Sequence, residues 1–505
     1  MVDLVEGAEY DFHVPELILD ILQKAFPHEL AFIRALRVSE PCMGMRTYSV
    51  MLEAKKVETV TTNGYDIDPE LKEFHEVASF KFGAEDGDLF DVALDDIEDS
   101  DGLVCGAVSK GFSAAGNRLA ADDVRSNVYV KIVEWIVKMA KKGCLKWFAV
   151  ENSDGVLKRL NGNEPFVKRI LMELLTEIPF FALDVNVVQS RFKCEAMSRI
   201  RPWVSGLRRD FLIDNFMPEI QTRLSFKKDI FLFLNETLTN VTGPELSTAQ
   251  RQKNLEDYEQ HIKTFKAHYM SMGKVAFFEL DRSWGAKSTP QVLVDTCPSI
   301  RTRRQSVFMI SIADIEKPPH QRRINRLASL SERFLFQCFL ADYARVSGKT
   351  ASNRCAGNAF PVPMAAAITW PLICLIEKSG GVVALRQNRI VGTEDHMKEI
   401  LKLGLPDWVS PEAEVDRLIK KALAQLASIK QVDPDHWVRW RPITEHDHVG
   451  VETAAQQPAY DAEQASASAP FPSSSSKDTV PSPVVDQNPP ALKRQKAQRR
   501  FLIAW

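Results

Sequence analysis

Short apolar runs alternate with amphipathic stretches between residues 34 and 207. Alternation of this kind is typical of βαβ units in a parallel sheet. The clearest helix is predicted over residues 122–140, where apolar side chains recur every four positions. Strands are predicted at 34–40, 60–67, 101–106, 145–151, 180–188 and 200–207. The pattern therefore indicates an α/β fold with a doubly wound, Rossmann-like sheet.

Beyond residue 207 the periodicity degrades into mixed segments, which indicates a separate and less regular domain. A strongly helical pattern follows over 331–378, and another over 411–429. Residues 452–492 are rich in Ala, Ser, Pro and Gln and cannot bury enough apolar surface to order themselves. We expect a disordered tail there.

The composition is that of an ordinary globular protein: 505 residues, 64 Lys and Arg against 67 Asp and Glu, and a formal charge of −3. Collagen-like, wholly disordered and supercharged proteins are excluded. No apolar run approaches the roughly 18–20 residues that cross a bilayer, so we expect no membrane partner and an intracellular protein. The eight cysteines form no CxxC pair and no Cys/His ligand pattern, which predicts reduced structural thiols and no metal site.

The near-neutral total conceals a split in charge along the chain. Residues 1–100 hold 8 basic and 23 acidic side chains, a net charge of −15, so the rest of the chain carries +12. Residues 191–350 hold 26 basic and 17 acidic side chains, and residues 491–505 hold five basic ones. A polyanion is therefore expected to bind the second half of the chain, with the first half kept away by repulsion.

The loops after the predicted strands are where an open α/β sheet binds its ligand. Gly44 follows the first strand, at a point where backbone can approach a ligand. Asp66 ends the second strand, at the spacing of the acidic residue that binds ribose hydroxyls in nucleotide sites. Asp88 lies in the third loop and can accept a hydrogen bond from an adenine amino group. Three such residues in order favour a nucleotide-type site over solvated loop charges.

The loop after strand 101–106 carries the most specific signal. Its sequence, GLVCGAVSKGFSAAGNR, resembles the signature loop of C5-cytosine DNA methyltransferases, in which Pro-Cys-Gln precedes Gly-Phe-Ser/Ala-Gly-Asn. Seven further segments resemble other motifs of that family and occur in its order: PCMGM, YDID, GDL, AVENSDGVLKR, MSRIRPWVSGLRRD, SERFLFQCF and CAGNAFPVPMAAA. The resemblance covers residues 34 to 368 and is far more specific than any one motif.

The resemblance implies a domain organisation. The parts would be an N-terminal segment at 1–33, a methyltransferase catalytic and cofactor domain at 34–207, a smaller irregular target-recognition domain at 208–330, a return to the catalytic domain at 331–378, a helical extension at 379–451 and a disordered tail at 452–505. It also implies that S-adenosylmethionine is the cofactor and that DNA is the partner, whose target base is extruded from the duplex because its reactive carbon is inaccessible while stacked.

Site residues follow from the resemblance, position by position. The residues that would hold S-adenosylmethionine are Cys42, Met43, Gly44, Met45, Asp66, Ile67, Asp88, Leu89, Asn358 and Ala359. Glu151 would protonate or hold N3 of the extruded cytosine and Arg201 would hold its O2, with Arg199 beside them and Ser109 at the position of the nucleophile. Contacts to the nucleic acid are expected from Asn117, Arg118, Arg301, Arg303 and Arg304.

Ser109 is the main departure from the family pattern, because it stands where the family has its nucleophilic cysteine. A cysteine is a few per cent thiolate near neutral pH, whereas a serine hydroxyl needs a neighbouring base. Cys105 lies four residues upstream, on the order of 10 Å away along an extended chain, and is no easy substitute. The first loop departs as well, since Arg46 and Thr47 replace glycines.

Three functions stay open from the sequence. The first is a DNA (cytosine-5)-methyltransferase-like protein in which methyl transfer is lost, or is weak through Ser109, because this serine stands in place of the nucleophilic cysteine. The second is a catalytically inactive regulatory or scaffold module that binds DNA or cofactor, and the third is a tRNA cytosine-5 methyltransferase. The basic segment 493–500 is consistent with nuclear import, so a nuclear location is expected.

Overall fold

Two β-sheets organise the part of the chain that the computed structural model describes. The described residues are 16–27, 35–67, 71, 85–107, 111–112, 126–160, 163–190, 196–212, 217–218, 220, 229–235, 238, 248–281, 292–300, 306–339, 341–344, 349–378, 394–405 and 409–431. The chain divides into two units, Met1–Trp440 and Arg441–Trp505. All of the second unit, including the tail predicted to be disordered, lies outside the described residues.

The main sheet has seven strands in the order β3-β2-β1-β4-β5-β7-β6. Its strands are β1 Leu36–Pro41, β2 Thr59–Asp66, β3 Glu85–Asp86, β4 Gly102–Gly106, β5 Trp147–Glu151, β6 Phe181–Gln189 and β7 Ile200–Arg208. Strands β1 to β5 pair in parallel, whereas β7 is antiparallel to both of its neighbours. The predicted α/β class and doubly wound sheet are confirmed, with one reversed strand.

Alternate residues of the central strands enter two apolar cores, one on each face of the sheet. On β5, Trp147 and Ala149 enter the first core, and Phe148 and Val150 enter the second. The first core is completed by α1 Glu16–Ala25, α2 Thr47–Ala54 and α9 Val362–Lys378, and the second by α3 Asn127–Lys142 and α4 Phe166–Glu177. Each fully buried apolar side chain stabilises this sandwich by roughly 1.5–3 kcal/mol.

Helix α3 shows how local sequence sets an element boundary. It ends at Gly143, whose φ of 84° is in the left-handed region and whose N–H donates to the carbonyl of Ala140. Glycine adopts this conformation without the penalty that a Cβ imposes, so the helix stops there. Helix α3 was predicted over 122–140; the residues just before Ser126 are outside the described part, so its predicted start is untested.

The second sheet lies within residues 275–327, in the region whose pattern indicated an irregular domain. It is antiparallel, in the order β11-β10-β8-β9, with β8 Val275–Glu279, β9 Leu293–Val294, β10 Val307–Ser311 and β11 Asn325–Leu327. Helices α5 Ala249–Thr264 and α6 Lys266–Met272 precede it. Phe277 and Met309 join the first core, while Phe278 and Phe308 form a core with α5. This region is therefore more regular than its sequence pattern indicated.

The C-terminal helices pack against the main sheet. The shorter ones are α7 Leu330–Leu335, α8 Lys349–Asn358 and α10 Glu394–Leu401, and the longest is α11 Pro411–Gln431. Val415 and Leu418 of α11 are buried in the second core. The Lys421 Nζ lies 2.7 Å from both carboxylate oxygens of Asp184 on β6. Helix α11, predicted at 411–429, therefore covers one face of the sheet.

One helical stretch of the described chain, Thr350–Glu377, is long and apolar enough to cross a membrane, with a mean hydropathy of 1.8. This corrects the expectation that no run approaches that length. The protein buries 83% of the stretch's most apolar window, and its side chains contribute to the first core. Its burial accounts for its apolar composition.

Candidate functional site

The loop after β1 is held against the end of β2 by two hydrogen bonds. The Gly44 N–H donates to Asp66 Oδ2 at 2.9 Å, and the Met43 N–H donates to the Tyr65 carbonyl at 3.0 Å. Gly44 has a φ of +48°, and a Cβ built on it would meet no atom nearer than 4.0 Å. The space beside this glycine is therefore open, as approach of a ligand to the backbone requires.

Carboxylates follow two neighbouring parallel strands at the same edge of the sheet. Asp66 ends β2, and its partner strand β3 leads into Asp88, whose side chain accepts from the Phe90 N–H at 3.0 Å. Ile67, between them in the chain, leaves 36% of its surface exposed, whereas Leu89 is buried. The structure therefore places Asp66 against the open glycine, with Asp88 following the neighbouring strand at the same edge of the sheet.

Three of the other predicted cofactor residues lie in this loop, and two lie at or just after the end of α8. Met43 and Met45 are buried, and Cys42 is half-buried against the second core. Asn358 is the last residue of α8 and is exposed, while Ala359 after it is buried. The Thr47 hydroxyl donates to the Phe360 carbonyl, so the fold brings the residue after Ala359 against the helix that follows this loop.

Arg46 shows what replaced a glycine of the first loop. It keeps a left-handed φ of 54°, which costs a residue with a Cβ on the order of 1–2 kcal/mol. Its guanidinium is fully buried, with Nη2 2.5 Å from Thr61 Oγ1 and 4.0 Å from Glu40 Oε1. Burial lowers the pKa of this guanidinium from its usual value, against the opposing effect of Glu40. Arg46 is therefore a core residue.

A second set of residues meets at the ends of β4, β5 and β7. Gly106 is the parallel partner of Glu151, and Glu151 is the antiparallel partner of Trp203. The Arg201 Nε lies 2.6 Å from Glu151 Oε1. Both side chains are largely buried, with 6% of Glu151 and 17% of Arg201 exposed. The two residues predicted to hold the base are thus brought together as an ion pair.

Arg199 points to a different place from Arg201. Its Nη1 donates to the carbonyl of Gly357 at 3.0 Å, and its N–H donates to Ser190 Oγ at 2.8 Å. Gly357 immediately precedes Asn358, so Arg199 joins β7 to the end of α8. The structure therefore gives Arg199 a positioning contact, while Arg201 makes the ion pair with Glu151.

Cys105 precedes Gly106 on β4 and is buried. Burial raises the pKa of its thiol well above the usual range, and the neighbouring thiol of Cys42 and the carboxylates of Glu151 and Asp66 act in the same direction. A thiol in this environment stays protonated and is a poor nucleophile. Burial and the raised pKa both argue against Cys105 as a nucleophile.

The remaining predicted site residues fall where the structure gives no description. They are Ser109, Asn117, Arg118, Arg301, Arg303 and Arg304. Within the described ranges, no group of three or more His, Cys, Asp or Glu side chains could hold a metal ion.

Sequence reasoning missed Phe360 and Thr47. A Cβ on Gly106 would lie 3.0 Å from the Phe360 ring and 3.6 Å from Glu151 Oε2, and the Thr47 hydroxyl donates to the Phe360 carbonyl at 3.1 Å. The only signal in the sequence is that Phe360 follows Asn358 and Ala359 in the GNAFPVP segment.

Comparison with known protein families identifies a family whose model covers most of the chain. The family model described as C-5 cytosine-specific DNA methylase matches residues 36–373. No curated protein sequence matches. Similar solved structures include the methyltransferase EhMeth of Entamoeba histolytica, with 12% identity, a TM-score of 0.43 and coverage of 68% of this chain and 98% of that one. They also include S. pombe Dnmt2, with 13% identity and a TM-score of 0.43, where the match covers 68% of this chain and 99% of that one. A DNMT2 variant of Spodoptera frugiperda has 12% identity and a TM-score of 0.42, and the match covers 67% of this chain and 100% of that one.

Proposed function

Because this chain belongs to the C-5 cytosine-specific DNA methylase family, we propose that it binds S-adenosylmethionine and duplex DNA and holds an extruded cytosine at Glu151 and Arg201. We further propose that Ser109 makes methyl transfer slow or absent. The observation that carries the proposal is the 2.6 Å ion pair of Glu151 and Arg201, at the edge of the sheet that also presents Asp66 and Asp88.

The methyl donor of this family is S-adenosylmethionine, whose sulfonium carries an activated methyl group. The residues at the ends of β1, β2 and β3 fit its nucleoside part. The Asp66 carboxylate accepts from Gly44 through Oδ2, and a carboxylate can accept several hydrogen bonds at once, as binding of ribose hydroxyls beside Gly44 would require. Ile67 offers apolar surface to a purine, and Asp88 offers an acceptor to its amino group.

The base site has donors and acceptors that match one edge of cytosine. That edge presents an acceptor at O2, an acceptor at N3 and a donor at the 4-amino group. A guanidinium has five N–H donors, so Arg201 can donate to O2 while its Nε faces Glu151. The Glu151 carboxyl would meet N3 and share a proton with it. Burial of this pair excludes water, which strengthens both contacts.

The reaction itself needs a nucleophile at C6 of the cytosine, so that C5 becomes electron-rich and accepts the methyl group. The C5 proton and the nucleophile then leave. A serine hydroxyl supplies this step poorly, and the buried, protonated Cys105 does not supply it. The substitution at Ser109 is the specific observation that favours the second candidate, a protein that binds cofactor and DNA without turnover.

The basic region does not distinguish DNA from tRNA. Residues 191–350 carry a net charge of +9, which suits the phosphates of either nucleic acid. We propose DNA because the matching family is defined by DNA methylation. A nuclear location remains a proposal from the basic segment 493–500.

The experiment compares wild type with Ser109→Cys in three assays. Calorimetry with S-adenosylhomocysteine should show binding to both proteins. Tritiated methyl transfer to mixed-sequence duplex DNA and to tRNA should be weak or absent for wild type. A duplex with 5-fluorocytosine in place of cytosine, incubated with S-adenosylmethionine, should form a covalent adduct with Ser109→Cys, because C5 has no proton to lose once it is methylated. A tRNA with 5-fluorocytosine in place of cytosine is tested in parallel.

The outcomes separate the parts of the proposal. No binding of the cofactor product at millimolar concentration would reject the nucleotide site. Vigorous turnover by wild type would reject the role given to Ser109. An adduct with tRNA and none with DNA would assign the tRNA alternative, and the absence of any adduct with Ser109→Cys would reject the base site.

A further inference from the structure

Phe360 is an aromatic residue beside the proposed base site, and the sequence pattern gave it no role. It follows α8 and precedes α9, and its side chain is half-buried. Its ring lies against Gly106, at the end of β4. Because Gly106 is the register partner of Glu151, the ring stands beside the carboxylate of the ion pair.

Gly106 leaves the space that this ring fills. A Cβ on Gly106 would lie 3.0 Å and 3.1 Å from two ring carbons of Phe360 and 3.6 Å from Glu151 Oε2. The Phe360 ring and the Glu151 carboxylate therefore both border the position that a Gly106 side chain would occupy at the end of β4.

The ring is fixed from two sides. Its edge meets Trp203 at a centroid distance of 5.1 Å and an interplanar angle of 87°, which is a favoured aromatic geometry. Its backbone carbonyl accepts from the Thr47 hydroxyl, on the helix that follows the cofactor loop. Such a ring is preorganised, because it does not have to be ordered when a base arrives.

We propose that Phe360 is a positioning residue that forms the wall of the nucleobase pocket beside Glu151 and contacts the extruded pyrimidine ring. The proposal rests on the proposed function, because it needs a base at Glu151 and Arg201. Contact between a base and an aromatic side chain contributes enough that its loss weakens binding about tenfold. Leucine at this position fills similar space but offers no aromatic face.

The test uses the full chain with S-adenosylhomocysteine and a mixed-sequence duplex in which 5-fluorocytosine replaces every cytosine, so that a target cytosine in any of its contexts carries fluorine. Fluorescence anisotropy measures the affinity, and fluorine NMR detects the extruded base as a resonance displaced by a nearby aromatic ring. Phe360→Leu is compared with Phe180→Leu. Phe180 is a buried phenylalanine next to Phe181, which pairs with Arg208 at the opposite end of β7 from Arg201.

Wild type and Phe180→Leu should show the displaced resonance and equal affinity. Phe360→Leu should bind S-adenosylhomocysteine normally, lose the ring-dependent displacement and bind the duplex about tenfold more weakly. Retention of both the displacement and the affinity in Phe360→Leu would overturn the inference and leave the proposed function standing. No displaced resonance with wild type would reject base extrusion and this inference together.

Gly106→Ala provides a second variant if Phe360→Leu does not fold. Its methyl group would lie 3.0 Å from the ring and force the ring to move. The displaced resonance should then shift or disappear while S-adenosylhomocysteine still binds. An unchanged resonance in Gly106→Ala would overturn the inference equally.

Discussion

Arg201 and Glu151 form an ion pair whose distance of 2.6 Å follows from the register of β5 and β7. Trp203 is the antiparallel partner of Glu151, and Arg201 lies two positions along β7, on the same face of the sheet. The pair therefore needs no loop to bring it together. A preformed pair of this kind can receive a base without a large rearrangement of the site.

Arg201→Met should destabilise the protein, because it leaves the Glu151 carboxylate, 5% exposed, without its cation. Removal of one partner of a buried ion pair costs about 3 kcal/mol. Urea unfolding would measure the loss in the free energy of unfolding. The double variant Glu151→Gln, Arg201→Met should lose less than the two single variants together, since neither charge is then stranded. Additive losses would show that the two side chains do not interact in solution.

Asp66→Asn should weaken the binding of S-adenosylhomocysteine at least tenfold. The substitution preserves size but removes the charge that accepts from Gly44 and, by the proposal, from ribose hydroxyls. A hydrogen bond to a charged group contributes about 1.5–3 kcal/mol, which corresponds to tenfold or more in affinity. Calorimetry gives the dissociation constant. Asp91→Asn, an exposed acid near the same edge, is the matched control, and an equal loss in both variants would contradict a specific role for Asp66.

The main sheet could be predicted because its strands are short buried runs separated by amphipathic helices. The predicted strand at 145–151 contains β5, Trp147–Glu151, and the prediction at 200–207 differs from β7 by one residue. The reversed direction of β7 could not be predicted, because a run of buried residues has the same composition in either direction.

The second sheet and its helix were missed for a different reason. Helix α5 buries polar side chains such as Arg251 and Asn254, which bond to Asp281 and to the Leu280 carbonyl. Hydrophobic periodicity does not detect a helix face that buries polar side chains. Likewise, the contacts of Arg199 with Gly357 and of Phe360 with Gly106 join residues far apart in the chain. The resemblance named the motifs, but only the fold shows which side chains meet.

Cys105 should resist alkylation in the folded protein. Burial raises the pKa of its thiol, so the reactive thiolate is scarce at pH 8, and the fold blocks access to the sulfur. Iodoacetamide treatment followed by peptide mass spectrometry should label Cys105 only in denaturant. Cys42, which is half-buried, should be labelled earlier and serves as the internal comparison. Rapid labelling of native Cys105 would contradict the conclusion that its thiol is too buried and too weakly ionised to act as a nucleophile.

Acid should destabilise the domain around α5 through His261. This histidine is 6% exposed, and its Nε2 lies 2.9 Å from the Tyr269 hydroxyl. Burial lowers the pKa of His261 from 6.5 to about 4. Between these values the unfolded chain binds a proton that the folded chain does not, so stability is fully present above pH 6.5 and is lost as pH falls toward 4. The full difference between these two pKa values corresponds to a loss of about 3 kcal/mol in the free energy of unfolding.

Urea unfolding of wild type and His261→Gln between pH 7 and pH 4 would measure this contribution. Glutamine can retain a hydrogen bond to Tyr269 but does not titrate, so the variant should lose less stability on acidification than wild type. His320→Gln removes an exposed histidine and should follow the wild-type curve. If the stability of wild type and of His261→Gln fell equally with pH, His261 would titrate near 6.5 in the folded protein. Its ring would then be accessible to water.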